Sequence, residues 1–294
     1  KNASVCVMKA ERASLLNRLV RELPEDFVVD TKWLKAAGLS ASSIRDYAAR
    51  GWLEHVAPRL YRRPGQAEPG AIRWEHAVLS LQVLLDEPVH VGGMTALELA
   101  GYWQYAPMGR RTIWLYSDAN AVRSYLARLD LDADMAVRSR KLFDQTEIGL
   151  ETRAFDLVTS TLSPVDVSGS PTVKHKQHLR VSSLERAILE VLDEVPDDIS
   201  FAHGAELFDG LTTLRPKLAR SLLTSCRSVK AKRLFLYLAK QHNYAWARDM
   251  RPTDYDLGKG KRQIVPGGEF DPTFQITVPR RDTAARRGSA SHVG

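Results

Sequence analysis

Leu15, Leu16, Leu19, Val20 and Leu23 recur three and four positions apart, which predicts an amphipathic helix. Pro24 stops it. Phe27, Val28 and Val29 predict a short extended segment. Asp30 or Thr31 then caps a second helix carrying Trp33, Leu34 and Ala37, and Gly38 supplies a left-handed stop. Ser40 caps a third helix, Ala41 to Arg50, which ends at Gly51. Trp52–Val56 and Leu60–Arg63 predict two strands, with a turn at Ala57, Pro58 and Arg59. Three helices and a hairpin within the first 64 residues form a winged-helix pattern.

Gly65, Pro69 and Gly70 predict a linker over residues 65–70. Trp74, Ala77, Val78, Leu81, Leu84 and Leu85 then line one side of a long helix. Thr95 with Glu98, and Ser182 with Glu185, have the spacing of capping boxes. The second precedes a helix carrying Leu184, Ala187, Ile188, Val191 and Leu192. Thr112–Tyr116 predicts a buried strand, and Ile148–Leu150 and Phe155–Val158 two more. Pro216 suits the first position of a helix with Leu218, Leu222, Leu223 and Cys226. Leu234, Phe235, Leu238 and Ala239 mark another helix, and Gln263–Val265 and Phe274–Val278 close in strands around a Pro266–Gly268 turn. The expected architecture is α+β. A winged helix-turn-helix domain spans 1–64 and a larger mixed α/β domain spans 71–279. A disordered basic tail is expected over 280–294.

The third helix has the two faces that a DNA-reading helix needs. Ile44, Tyr47 and Ala48 pack inward, which leaves Ser42, Ser43, Arg45, Asp46 and Ala49 facing out. Arg45 can donate twice to guanine, and Asp46 can accept from cytosine. Ser42 and Ser43 lie in the first turn, where backbone N–H groups point at phosphate. Arg50, near the helix end, suits a phosphate contact, as do Lys32 and Lys35 on the second helix. Arg59 at the hairpin tip, with Arg62 and Arg63 on the returning strand, suits a wing along the backbone or in the minor groove. The bland alternative is a small helical subdomain for protein contacts.

Charge sharpens this picture through its distribution. The net charge is +7, and residues 1–64 hold 12 Lys/Arg against 7 Asp/Glu. Residues 65–214 hold 13 against 22, and residues 215–262 hold 13 against 3. The chain is thus basic, acidic, then strongly basic, which suggests two surfaces for a polyanion. The second would carry Lys230, Lys232, Arg233, Lys259, Lys261 and Arg262, all expected to face outward. Pairing of these cations with the acidic middle segment is the alternative.

Few enzymatic readings survive. Asp130, Asp132 and Asp134 alternate, but no phosphate loop precedes them, and the calcium-loop pattern fails at Met135 and Lys141. Gly258–Arg262 resembles a phosphate loop, yet Tyr255 and Arg262 stand where Gly and Ser/Thr are required. His175 and His178 are three apart in a polar loop with no third ligand nearby. Cys6 and Cys226 have no motif spacing, no apolar run spans a bilayer, and the first residues lack a signal core. The expectation is a cytoplasmic, non-enzymatic protein with no cofactor or metal and no membrane partner.

Several stretches, in order, resemble one family. They are Arg50-Gly51-Trp52-Leu53-Glu54, Leu60-Tyr61-Arg62-Arg63, the segment 91–99 beginning Val91-Gly92-Gly93-Met94, and Ile113-Trp114-Leu115-Tyr116. Residues 181–190, 228–236 and 257–262 continue the series. The chain is similar to AbiEi antitoxins of type IV toxin–antitoxin systems over roughly residues 9–279. The resemblance implies an autorepressor that binds inverted repeats in its own promoter through the winged helix. It also implies a C-terminal domain that counters a nucleotidyltransferase-like toxin, AbiEii, without a stable complex. The other class of reading is an RNA- or tRNA-binding adaptor whose basic C-terminal surface protects the toxin's nucleic-acid target.

Overall fold

The computed structural model describes residues 14–65, 70–102, 109–163 and 176–280. Cys6, His175, the middle of the expected linker and the expected tail from residue 281 onward lie outside them.

Local capping sets up the N-terminal module. Helix α1 covers residues 14–22 and buries Leu19. Strand β1 (Val28–Asp30) runs directly into α2 (Thr31–Ala36), where the Asp30 carboxylate accepts from the Trp33 amide at 2.7 Å. Gly38, at φ +95°, turns the chain toward α3 (Ala41–Ala49), whose first turn is capped by Ser40. Ile44 and Tyr47 bury the inner face of α3. The wing is β2 (Glu54–Ala57) and β3 (Leu60–Arg62), turned at Pro58–Arg59. The sequence pattern predicts a two-stranded wing. The sheet has three strands in the order β1-β3-β2, because β1 pairs antiparallel with β3.

The exposed side of β1 is closed by side chains. The Val28 amide donates to the Ser80 hydroxyl at 2.9 Å, and the Val28 carbonyl accepts from the Tyr125 hydroxyl at 3.0 Å. Val28 is fully buried, so both backbone groups need these partners. Ser80 also donates to the His76 carbonyl at 2.6 Å. It stands where α4 (Trp74–Leu79) widens into a π-helical turn, Ser80–Leu84. The single long helix expected here is thus interrupted at the residue that holds β1. Burial pushes the Tyr125 phenol well above its ordinary range, so it remains a donor.

A six-stranded sheet follows in the order β6-β5-β4-β9-β7-β8. Its strands are β4 (His90–Val91), β5 (Thr112–Tyr116), β6 (Asp134–Arg138), β7 (Leu150–Asp156), β8 (Thr161–Ser163) and β9 (Lys176–Ser182). The strand at 112–116 is where the sequence places it. The two expected over 148–150 and 155–158 are instead one, β7. Gly149 at φ +70° turns the chain before it, and the Asp156 carboxylate accepts from the Val158 and Thr159 amides after it. His178 lies on β9, not in a loop.

The chain divides into two compact units. One is Lys1–Val91, Tyr105–Arg140 and Glu151–Val181, holding the winged module, most of the sheet and α6 (Asn120–Leu126). The other is Gly92–Gln104, Lys141–Leu150 and Ser182–Gly294. It contains α5 (Gly93–Leu99), α7 (Leu184–Asp193), α8 (Phe201–Asp209), α9 (Pro216–Ser225) and α10 (Val229–His242). A small sheet, β10 (Arg262–Gln263), β11 (Glu269–Asp271) and β12 (Ile276–Val278), completes it.

Neither expected capping box forms. Gly92 is the N-cap of α5, and Thr95 is buried within that helix. The Gly93 amide donates to Glu190 on α7 at 2.8 Å. Ser183, not Ser182, caps α7, while Ser182 donates to Glu190 at 2.8 Å. Glu185 bonds the Arg215 amide and guanidinium, at 2.7 Å in each of the shortest contacts. Arg215 thus engages the Glu185 carboxylate from 30 residues away. Glu190 also forms a buried ion pair at 2.7 Å with Arg186, which donates to the Thr146 and Ile148 carbonyls. Cys226 is a free, buried cysteine whose thiol burial pushes up to about 12, so it is protonated and unreactive near neutrality.

Two stability outcomes follow. Tyr125→Phe orphans the Val28 carbonyl and should cost about 1–3 kcal/mol in urea unfolding. Arg186→Met leaves the Glu190 carboxylate buried without its cation and should cost about 3–5 kcal/mol, read the same way. A loss below a few tenths of a kcal/mol for either variant would contradict these roles.

Candidate nucleic-acid interface

The α3 surface has the expected two faces. Arg45, Asp46 and Arg50 are exposed and form no ion pair among the described residues. The hydroxyls of Ser42 and Ser43 lie 2.8 and 2.9 Å from that of Ser40, so the helix start is a small hydroxyl cluster. Ser42 is exposed and Ser43 half-buried. Lys32 and Lys35 are exposed on α2. Arg59 is exposed at the wing tip with φ +66°, and its carbonyl accepts from the Thr31 amide at 3.0 Å. The Arg128 guanidinium donates to the Pro58 carbonyl at 3.0 Å and steadies that tip.

The other two wing arginines have work inside the fold. Arg62 makes a close ion pair with Glu54 across the hairpin, at 2.6 Å. Arg63 donates to the Val20 and Leu23 carbonyls at the end of α1, at 2.8 and 2.9 Å, and to Glu25 at 3.1 Å. Its side chain is a helix C-terminal cap. Trp52 is a surface feature that the sequence pattern assigns to a strand. It lies in the turn between α3 and β2 and is 46% exposed. A large aromatic left in solvent beside a basic helix is the signal that could have marked it.

The expected second basic surface is smaller than the charge count suggests. Lys232 is 5% exposed and Arg233 1%, which corrects the expectation that both face outward. Arg233 projects into the turn before β10, where its guanidinium donates to the carbonyls of Leu257, Gly258, Gly260 and Gln275 at 2.7 to 3.3 Å. Gly258 and Gly260 take φ +63° and +83° to turn those carbonyls inward. The glycine-rich turn therefore cradles a cation of its own chain, with carbonyls rather than amides directed into it. Lys230 pairs with Asp197 at 3.4 Å, Arg215 with Glu185 at 2.7 Å and Arg227 with Asp144 at 2.5 Å. Internal pairing thus accounts for part of this segment. Lys259, Lys261 and Arg262 remain exposed, and the Lys261 ammonium lies 4.9 Å from the centre of the Phe270 ring.

The acidic trio does not converge on one face. Asp132 accepts from the Trp74 amide at 2.8 Å, and Asp134 pairs with Arg110 at 3.3 Å. Burial holds the Asp132 carboxyl above its usual range. Among the described residues no three His, Cys, Asp or Glu side chains are placed to hold a metal ion. No helix among them is long and apolar enough to cross a membrane.

Two family models match the chain. One, described as a transcriptional regulator, AbiEi antitoxin N-terminal domain, matches residues 12–108. The other, a transcriptional regulator, AbiEi antitoxin, Type IV TA system, matches residues 110–279. No curated protein matches the chain. The crystal structure of RV2827C protein from Mycobacterium tuberculosis is similar, with TM-score 0.51 and 18% identity over 90% of each chain. At that identity the likeness speaks for the fold.

The two kinds of cation in the second basic segment should separate on substitution. Arg233→Met leaves four carbonyls without their donor and should lower unfolding stability by about 3 kcal/mol. Neutralising Lys259, Lys261 and Arg262 together should leave the thermal midpoint where it is. An unchanged stability for Arg233→Met would mean that the turn does not depend on Arg233.

Proposed function

The chain belongs to the AbiEi antitoxin family of transcriptional regulators of type IV toxin–antitoxin systems, and from that premise we propose that it represses its own operon by reading promoter inverted repeats with α3. The observation that carries this reading is the free outer face of α3. Arg45 and Asp46 point into solvent with no ionic partner among the described residues, on a helix whose opposite face is buried. A rigid helix with unpaired groups able to match base edges suits major-groove recognition. Lys32, Lys35, Arg50 and Arg59 serve as phosphate contacts, with Ser42 and Ser43 at the helix start and Trp52 against the sugar–phosphate backbone. Arg62 and Arg63 act indirectly, by holding the wing and the end of α1.

We assign DNA reading to residues 1–64 and antitoxicity to residues 71–279. The toxin in this reading is a nucleotidyltransferase of the AbiEii kind, countered without a stable complex. Lys259, Lys261 and Arg262 are the part of the second basic surface left for a nucleic acid. With Lys232 and Arg233 buried, the RNA-adaptor alternative has less surface to rest on.

Arg45→Ala should cost about 1–3 kcal/mol on the cognate repeat and little on scrambled duplex. Arg59→Ala should weaken both and lower the salt-dependence slope by about one unit. Equal loss for Arg45→Ala on both duplexes, measured by fluorescence anisotropy, would make Arg45 a backbone contact and remove the base-reading role of α3.

A further inference from the structure

The unit containing the winged module has an open cleft of about 1000 Å³, lined by α2, the wing turn, the π-helical turn after α4, and α6. That volume is at the upper end of what small-ligand sites enclose, about 300–1,000 Å³. Its apolar lining comes from Trp33, Leu81, Leu84 and Leu85, with Leu81 buried and the others half-buried. Its charged lining comes from Lys32, Lys35, Arg59 and Arg128, all exposed. None of these four cations has a carboxylate partner among the described residues. Of the two acidic residues that line the cleft, Asp30 is engaged as the cap of α2, and Glu87 stands opposite that surplus of positive charge.

Apolar surface inside a cationic rim is complementary to a molecule with one anionic head and an apolar body. Either half alone would be ordinary. Exposed lysines are usually solvated, and half-buried leucines commonly edge a core. Their convergence on one concavity is what selects an amphipathic anion over a purely polar or purely apolar ligand. Double-stranded DNA cannot use the apolar part, because it presents no hydrocarbon that would enter the cleft.

We propose that this cleft binds an amphipathic carboxylate, a single carboxylate head on an apolar chain, and that its occupancy weakens DNA binding. The head lies among Lys32, Lys35 and Arg59, and the chain lies on Trp33 and the leucines. The binding half stands on the cleft alone. The regulatory half rests on the proposed DNA reading, since the same three cations serve there as phosphate contacts. A carboxylate that engages them competes with phosphate, and by linkage DNA must weaken the carboxylate by the same factor.

The test uses the full chain with decanoate below its micellar concentration, and decanol as the uncharged control with the same tail. Calorimetry should show saturable one-to-one decanoate binding, weakened about tenfold or more for decanol. Ala121→Glu adds a carboxylate at an exposed lining position outside the DNA-contact set and should reduce decanoate affinity to a similar extent. Leu84→Gln, which removes apolar lining, should do the same for the tail. No saturable binding, equal binding of decanol, or no effect of both variants would overturn the site. Duplex affinity should fall as decanoate saturates the wild-type chain, and should fall less in Ala121→Glu. Decanoate binding that leaves duplex affinity unchanged overturns the competition. A chain that binds no duplex at all fails the DNA reading, while the calorimetry still decides the cleft.

Discussion

One buried carboxylate organises the second unit. Glu190 lies on α7 with its side chain out of solvent, and it accepts from the Arg186 guanidinium, the Gly93 amide and the Ser182 hydroxyl. A desolvated ion pair repays its hydration cost only when the remaining lone pairs and N–H groups also find partners. Here they do. The second Glu190 oxygen serves as the missing cap of α5, and Arg186 takes the carbonyls of the chain before β7 and covers the Phe143 ring at 4.7 Å. The end of β9, the start of α5, the residue 143–148 stretch and α7 are thereby tied to two side chains one helical turn apart.

This network shows why some of the sequence was legible and some was not. The caps of α2 and α3 are bonds within three residues, so Asp30 and Ser40 announce themselves. The expected boxes at Thr95–Glu98 and Ser182–Glu185 have the same spacing, but their outcome depends on Glu190 and Arg215, which local spacing does not reveal. The two faces of α3 follow from period alone. By contrast β4 has two residues, β6 is half-exposed with charged ends, and the first three residues of β9 are polar, which leaves a short alternation over Leu179–Ser182 as the one strand signal among them. The π-helical turn at Ser80 is invisible to a period of three and four, and the residue where it begins is bonded to an amide 52 residues away.

The candidate site was legible to the same depth. Which residues face out on α3 was readable from the residues that must face in. Which cations are available to a ligand was not, because a charge count treats Arg45 and Arg233 alike. Arg233 is enclosed by four carbonyls, Arg63 caps α1, and Arg62 holds Glu54. Each of these side chains is long enough to lay its carbon stem along apolar surface and deliver its head to an acceptor. A sequence reading that assumes cations face outward will therefore overcount a basic surface wherever carbonyls are left over, as at helix ends and in glycine turns.

The cations that remain exposed are the ones the proposed interface can draw on. Glycine-rich turns suggest phosphate when their amides converge, but Gly258 and Gly260 turn carbonyls inward instead, so that turn is closed to an anion from within. Its outer residues, Lys259 and Lys261, stay exposed, while Arg233 meets the carbonyl acceptors. The same logic acts in the winged module. With Arg62 and Arg63 committed to Glu54 and α1, the wing and helix ends hold their positions without help from a ligand. Arg45, Arg50 and Arg59 stay exposed on that fixed frame, so in the proposed duplex complex the ordering cost would fall on these side chains and not on the backbone that carries them.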